Sequence, residues 1–255
     1  MKNVTALALV LGFAALPAVA AQDAQDAQDA PFQHEAGLQY SANTEEFGDG
    51  QWDLNYRFYF DSVSQEKGPY ALNGFLAQAT NVGASYSMID DADIDVFSVD
   101  GTYVFDSKWF VGAKVERFDA GVFDTDIYQL DVGYYFNDSS KVAAFYVDGS
   151  DIDSSYGLEA RSFIDLKSTT GIDLGAMWTH TDADDLFNVN ADWYVTKAWS
   201  VGLGYADIGS DDFFIAKTAY WLRISDAFSA TFELSKDLDS DVDGFGAAIG
   251  VVGRF

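Results

Sequence analysis

The chain has 255 residues, and its 41 Asp and Glu against 14 Lys and Arg give a formal net charge of −27. This balance disfavours nucleic acid as a partner, because the phosphates would be repelled. The absence of cysteine excludes disulfides and cysteine-ligated zinc. Hydrophobic residues make up 49% of the chain and aromatic residues 16%, far more apolar material than a disordered acidic chain carries, so we expect it to fold.

The N-terminus has the pattern of a secretory signal. Lys2 precedes an apolar run from Val4 to Val19, which closes on small residues typical of a cleavage site. We predict a signal peptide over residues 1–20, because the run is short for a membrane anchor of about 20 residues. The Gln-Asp-Ala repeats that follow predict a flexible polar leader over residues 21–32.

From Trp52 onward, apolar and polar residues alternate with period two, which is typical of β-strands with one apolar face. Strands of roughly ten residues suit a tilted bilayer span better than a soluble sheet. Several aromatic residues stand near the predicted strand ends, where the interfacial girdles of a membrane barrel belong. They are Trp52, Phe60, Trp109, Phe136, Trp193, Trp199 and Phe228.

The connections between these strands alternate in kind. Tight connections often carry Lys, as in Asp106-Ser107-Lys108, whereas the intervening ones are longer and rich in Asp, as in Asp119 to Asp126 and Asp148 to Asp153. Outer-membrane barrels show this asymmetry, with short periplasmic turns and longer external loops.

These patterns predict an all-β transmembrane antiparallel β-barrel over residues 33–255. The segments between connections number about fourteen, with twelve or sixteen as alternatives, and an even number places both termini on the periplasmic side. The stretch from Asp61 to Gln78 fits least well. We interpret it as a longer periplasmic connection, although Tyr70 to Ala77 could be part of a strand.

The last predicted strand ends the chain on an aromatic residue. Phe245, Ile249 and Phe255 share one phase. A terminal aromatic strand resembles the assembly signal of Gram-negative outer-membrane proteins, and the resemblance implies recognition of the Phe255 strand by the barrel-assembly machinery.

Two local stretches resemble a family of porins of Gram-negative bacteria. One runs from Tyr56 to Phe60 and continues with Gly68-Pro69 and Phe75-Leu76; the other is Val201 to Tyr205. The first departs from the family pattern at Tyr70 to Gly74. The resemblance implies a pore in the outer membrane of a Gram-negative bacterium, and it identifies no solute.

Motifs for metal binding or catalysis are weak. Asp239 to Gly244 matches the first half of an EF-hand calcium loop, but Gly250 stands where a bidentate Glu is required. His180 is the residue to consider for a lipid hydrolase, yet no Ser stands beside it at strand spacing. We therefore expect no enzyme activity, no catalytic residue, no resident metal and no cofactor. We expect the acidic loops to contact membrane lipid and lipopolysaccharide, bridged by divalent cations.

The polar phase predicts the residues that line the pore. They are Asp53, Arg57, Asp100, Lys114, Glu116, Asp131, Glu159, Arg161, Asp173, Asp192, Lys217, Arg223 and Glu233. Asp165 and Arg254 belong to the same phase. Cross-strand ion pairing is the alternative role for any one of them. Asp173 is expected to face water, so that Asp173→Arg would cost little, whereas Leu174→Arg would place a charge in lipid.

Together these features predict a channel for passive diffusion of small hydrophilic solutes. Inward glycines such as Gly133, Gly175, Gly202 and Gly204 would leave lumen volume unfilled. Fourteen strands should leave a narrow pore, since roughly sixteen to eighteen give an aqueous channel. Acids outnumber bases in the polar phase, which predicts a modest preference for cations. The alternative is a non-conducting structural or adhesive barrel with acidic surface loops.

Overall fold

The computed structural model describes residues 30–89, 94–121, 123–209, 211–239 and 243–255. The predicted signal peptide and nearly all of the predicted leader lie outside these residues, as does the centre of the EF-hand-like stretch. In the part that the structure describes, no helix is long and apolar enough to cross a membrane.

Fourteen antiparallel strands close into one barrel, in which sequence neighbours pair and the last strand pairs with the first. The predicted fold class and strand number are therefore confirmed. The strands are β1 Phe32–Asn43, β2 Gln51–Val63, β3 Asn81–Ile89, β4 Ile94–Val104, β5 Trp109–Asp119, β6 Asp124–Asn137, β7 Ser140–Gly149, β8 Ile152–Asp165, β9 Gly171–His180, β10 Asp185–Thr196, β11 Trp199–Asp207, β12 Asp212–Arg223, β13 Phe228–Asp237 and β14 Gly246–Arg254.

The two faces of the barrel wall follow the period-two pattern. Large apolar side chains are exposed on the outer face, as at Leu130 (62%) and Leu203 (59%). Their neighbours along each strand point inward, because successive side chains of a strand lie on opposite faces. The aromatic residues predicted to form girdles, from Trp52 to Phe228, are all exposed on the outside. An apolar exterior of this kind is stable in lipid and not in water.

The two ends of the barrel differ in their connections. We call the end where β1 begins and β14 ends the terminus end, and the opposite end the acidic end. Asp-rich connections lie at the acidic end, and some of them are shorter than predicted. The β7–β8 connection was expected to be a loop over residues 148–153. In the structure it consists of residues 150–151 alone, because Gly149 at the end of β7 pairs with Ile152 at the start of β8.

The longest connection, between β2 and β3, contains the only helical turns among the described residues. A 3-10 turn at Tyr70–Leu72 leads into the five-residue α-helix α1, Asn73–Ala77. The alternative that this stretch is a strand is therefore wrong. Its side chains pack against the inner face of the barrel, as described below, and we call residues 64–80 the inner segment.

Candidate functional site

The inner wall of the barrel carries the predicted polar phase. Register places on this face all the residues predicted to line a pore: Asp53, Arg57, Asp100, Lys114, Glu116, Asp131, Glu159, Arg161, Asp173, Asp192, Lys217, Arg223 and Glu233. Asp165 and Arg254 share it. That these side chains line a conducting passage stays a prediction.

Most charged side chains on this face are joined in ion pairs. Such pairs brace the wall and keep its surface polar, because each charge retains a partner away from bulk water. The pairs are Arg57–Asp100 (2.7 Å), Lys114–Glu116 (2.5 Å), Lys141–Glu159 (2.5 Å), Arg161–Asp173 (2.8 Å), Lys217–Asp192 (3.0 Å) and Arg254–Glu35 (2.7 Å).

Two of these pairs reach across an intervening strand by lying over a glycine. Lys217 on β12 meets Asp192 on β10 above Gly202 of β11, where an added Cβ would stand 2.1 Å from Asp192 Oδ1. Gly83 of β3 lies in the same way beneath the Arg57–Asp100 pair.

The prediction that inward glycines leave volume unfilled is therefore wrong for most of them. Neighbouring side chains occupy the space beside Gly133, Gly175 and Gly202, whereas Gly204 has no atom closer than 3.9 Å to its Cβ position. A long side chain lies flat along the wall wherever glycine offers it room, so the inner surface is packed at these positions.

Sequence analysis missed two members of the ion-pair set. The sequence predicts a tight connection from Asn137 to Lys141, but β7 begins at Ser140 and the Lys141 side chain points inward. Apolar residues occupy both faces of β7, so the sequence does not indicate which of its residues point inward. The inward position of Glu35 could have been predicted, because Leu38 faces outward and Glu35 lies three residues earlier on the same strand, β1.

The inner segment lies in the lumen near the terminus end, where it makes apolar contacts with several wall strands. Leu72, 1% exposed, packs with Phe163 of β8 and Tyr194 of β10. Phe75 packs against the cluster that contains Phe110 of β5 and Tyr135 of β6. The segment therefore occupies part of the lumen and narrows the passage here. No turn motif in the sequence indicates this placement.

Arg254, the penultimate residue, holds the inner segment to the wall. Its guanidinium donates to Tyr70 O (3.0 Å), Asn73 Oδ1 (3.0 Å) and Gln65 Oε1 (3.2 Å). It also pairs with Glu35, and its side chain is 6% exposed. Flanking aromatic rings complete the site, since the guanidinium carbon lies 4.6 Å from the ring centroids of both Phe32 and Trp221.

A cavity of about 740 Å³ opens beside the inner segment at the terminus end. Its lining is mixed in charge, with Lys67, Lys108, Asp138 and Asp165 among the contributors. Lys108 donates from Nζ to Asp138 Oδ1 (3.1 Å), and to Gln78 of the inner segment (3.0 Å). The cavity is the space that the inner segment leaves between itself and the turns of β4–β5 and β6–β7.

The histidine considered for lipid hydrolysis lies on the outer face at the acidic end. His180 Nδ1 is 2.8 Å from Asp185 Oδ1, and its ring packs beside Tyr156 and Trp178. No hydrogen bond among the described residues joins His180 to a serine. No group of three or more potential metal ligands occurs in the described ranges either.

A family model described as "Putative general bacterial porin" matches residues 1–155. The chain belongs to this porin family. The resemblance expected from the sequence is thereby confirmed, and with it the location in the outer membrane of a Gram-negative bacterium. The family match spans β1 to β7, the inner segment and the start of β8.

Solved structures support the same fold for this porin. The outer membrane protein Omp33 of Acinetobacter baumannii aligns with a TM-score of 0.70 at 22% identity, covering 89% of this chain and 100% of that one. A bacterial polysaccharide outer membrane secretin aligns with a TM-score of 0.51 at 13% identity, covering 89% and 100%. Both show the barrel fold alone. A comparison with curated protein sequences found no match.

Proposed function

We propose that this porin is a passive diffusion channel for small hydrophilic solutes with a modest preference for cations. The observation that carries the proposal is the inner wall, where Arg57, Lys114, Lys217 and their partners keep the interior charged. A barrel with no passage has little need for such a wall, since apolar residues of similar volume can replace buried ion pairs without loss of stability.

The size of the barrel supports a restricted channel. Eight strands leave an interior just filled by side chains, whereas roughly sixteen to eighteen leave an open aqueous channel. With fourteen strands and the inner segment in the lumen, we expect conductance to be small and to depend on how the inner segment is placed.

Charge at the acidic end supports the cation preference. Its connections and strand ends carry many carboxylates, among them Asp151, Asp182 and Asp184, which would concentrate cations at that mouth. We place this end outside the cell, in contact with lipopolysaccharide through divalent cations. We place the terminus end in the periplasm, and we expect the Phe255 strand to be read by the barrel-assembly machinery.

Conductance in planar bilayers tests the proposal. Purified refolded protein should give discrete current steps, and the reversal potential in a KCl gradient should show K+ more permeant than Cl−. Absence of current at any salt concentration, from protein whose heat-resistant folded form is present on SDS gels, would contradict it.

The second candidate function is a structural or adhesive barrel without conductance. The inner segment favours it, because Leu72 and Phe75 pack against the wall from inside and occupy part of the lumen. If the barrel has this function, we expect no current from the native protein and none after the inner segment is removed. Current that appears on removal of the segment would favour the channel.

A further inference from the structure

Two classes of charged group on the inner wall differ in the charge that they present to the lumen. In the first class, each base has a carboxylate within 3.0 Å, and the six pairs named above belong to it. An ion pair of this kind presents almost no net charge to an ion several ångströms away, because its two fields nearly cancel.

Asp53 and Asp131 form the second class within the wall; Asp165, the last residue of β8, is an exposed acid at the terminus end. Asp53 accepts hydrogen bonds from Gln51 Nε2 (2.7 Å) and Ser87 Oγ (2.6 Å), and Asp131 accepts one from Gln129 Nε2 (2.8 Å). Neither forms an ion pair with a Lys or Arg of the described residues. Amide and hydroxyl donors orient a carboxylate and leave its charge in place. Neither carboxylate therefore has its charge offset by a paired base.

Both aspartates are also accessible, as a mobile ion requires. Each is half-buried, in contrast to Asp173 and Asp192, which are 1% and 2% exposed. Glu233 differs again, because its Oε2 is buried without a hydrogen-bond partner and a hydrated ion cannot reach it. The nearest base to consider for Asp131 is Lys141, which is already held by Glu159 at 2.5 Å.

We propose that Asp53 and Asp131 determine the cation selectivity of the pore. This inference rests on the proposed channel function. It assigns the selectivity to two residues, where the proposed function attributed it to the acids as a set. They lie on β2 and β6. On the arc of wall from β2 to β6, the bases Arg57 and Lys114 are paired with Asp100 and Glu116. A hydrated monovalent cation passing this arc meets two uncancelled carboxylates and no uncancelled base.

The decisive experiment compares three double variants by reversal potential in a KCl gradient centred near 1 M. The variant Asp53→Asn with Asp131→Asn should reduce the K+ to Cl− permeability ratio by roughly twofold or more, toward unity. Asn keeps the shape and accepts the same hydrogen bonds, so the wall should remain folded.

Two matched controls separate this effect from other sources of charge. Arg57→Gln with Asp100→Asn removes a pair at constant net charge and should leave the ratio unchanged. Asp151→Asn with Asp184→Asn removes two charges from the acidic end, where salt near 1 M screens them over about 3 Å, and should also leave it unchanged.

The outcomes are distinguishable. Conductance with a wild-type ratio in the Asp53 and Asp131 variant would overturn this inference alone, as would an equal loss of selectivity in the acidic-end control. No conductance from wild-type protein would overturn both this inference and the proposed channel function.

Discussion

A glycine on the inner wall decides whether two side chains on alternate strands can meet. At Gly202, an added Cβ would lie 2.1 Å from Asp192 Oδ1 and 2.8 Å from Lys217 Cε, so one of the two must move. At Gly204, two residues along the same strand, an added Cβ would make only ordinary van der Waals contacts, at 3.9 Å or more. The pair of glycines therefore offers a test of the packed wall with its control on one strand.

We expect Gly202→Ala to destabilise the barrel by about 1 to 3 kcal/mol, as overpacking of a filled site does. Gly204→Ala should be nearly neutral, because its nearest neighbour stands at 3.9 Å. Urea unfolding followed by tryptophan fluorescence measures both. Equal effects of the two substitutions would mean that Lys217 and Asp192 do not lie over Gly202.

Leu174 and Asp173 are neighbours on β9 with opposite environments. Leu174 is 39% exposed on the outer face, whereas Asp173 is 1% exposed and bound by Arg161. The sequence-based expectation that Asp173→Arg costs little is therefore wrong, because that change would set two guanidinium groups together in a buried site. Inward direction was predictable from alternation, but burial beneath a neighbouring side chain was not.

Leu174→Arg should cost about 2 to 4 kcal/mol, the range for a basic residue near the midplane of a barrel's lipid face. Ile224→Arg, at the end of β12 near the interface, should cost about 0 to 1 kcal/mol. Folding into lipid vesicles over a denaturant series gives both values. A larger loss at Ile224 would place the hydrocarbon band elsewhere on the wall.

The inner segment shows which elements a sequence pattern can and cannot predict. Strands such as β6 and β10 were predicted because alternation repeats over their whole length, and each inward position follows from it. Residues 64–80 have no such period. Their placement depends on contacts with Phe163, Tyr194 and Arg254, which are distant in sequence and come together only when the barrel closes.

Removing the guanidinium of Arg254 should release this segment. Arg254→Ala leaves Glu35 without its ion-pair partner and removes the guanidinium hydrogen bonds to Gln65, Tyr70 and Asn73. Breaking a buried pair in this way costs about 3 to 5 kcal/mol. We expect lower stability in urea together with larger or more frequent current steps in bilayers.

Arg117→Ala supplies the control for a lost guanidinium. Its partners Asp124 and Asp126 are exposed at the acidic end, and such surface pairs contribute about 0 to 1 kcal/mol. If Arg254→Ala lowered stability but left the current steps at their wild-type size, Arg254 would brace the wall without holding the inner segment in the passage.

At the scale of the whole molecule, charge is sorted along the barrel axis. Lys67, Lys108, Lys167 and Lys197 all stand in connections at the terminus end, and acidic residues dominate the connections at the opposite end. Four acids in the connections at the terminus end, Glu66, Asp106, Asp138 and Asp226, offset these lysines, so the terminus end is close to neutral and the acidic end is the more negative of the two. Orientation decides which of them meets the external solution.

We predict that the acidic end faces outward. A protease-cleavable tag inserted after Asp184, in the β9–β10 connection, should be cut on intact cells, because that connection belongs to the acidic end. The same tag after Lys167, in the β8–β9 connection at the terminus end, should be cut only after the outer membrane is permeabilised. Cleavage in permeabilised cells for both insertions controls for access to the tag. The reverse pattern would place the lysine-bearing turns outside, and the acidic mouth would then attract cations from the periplasm instead of from the medium.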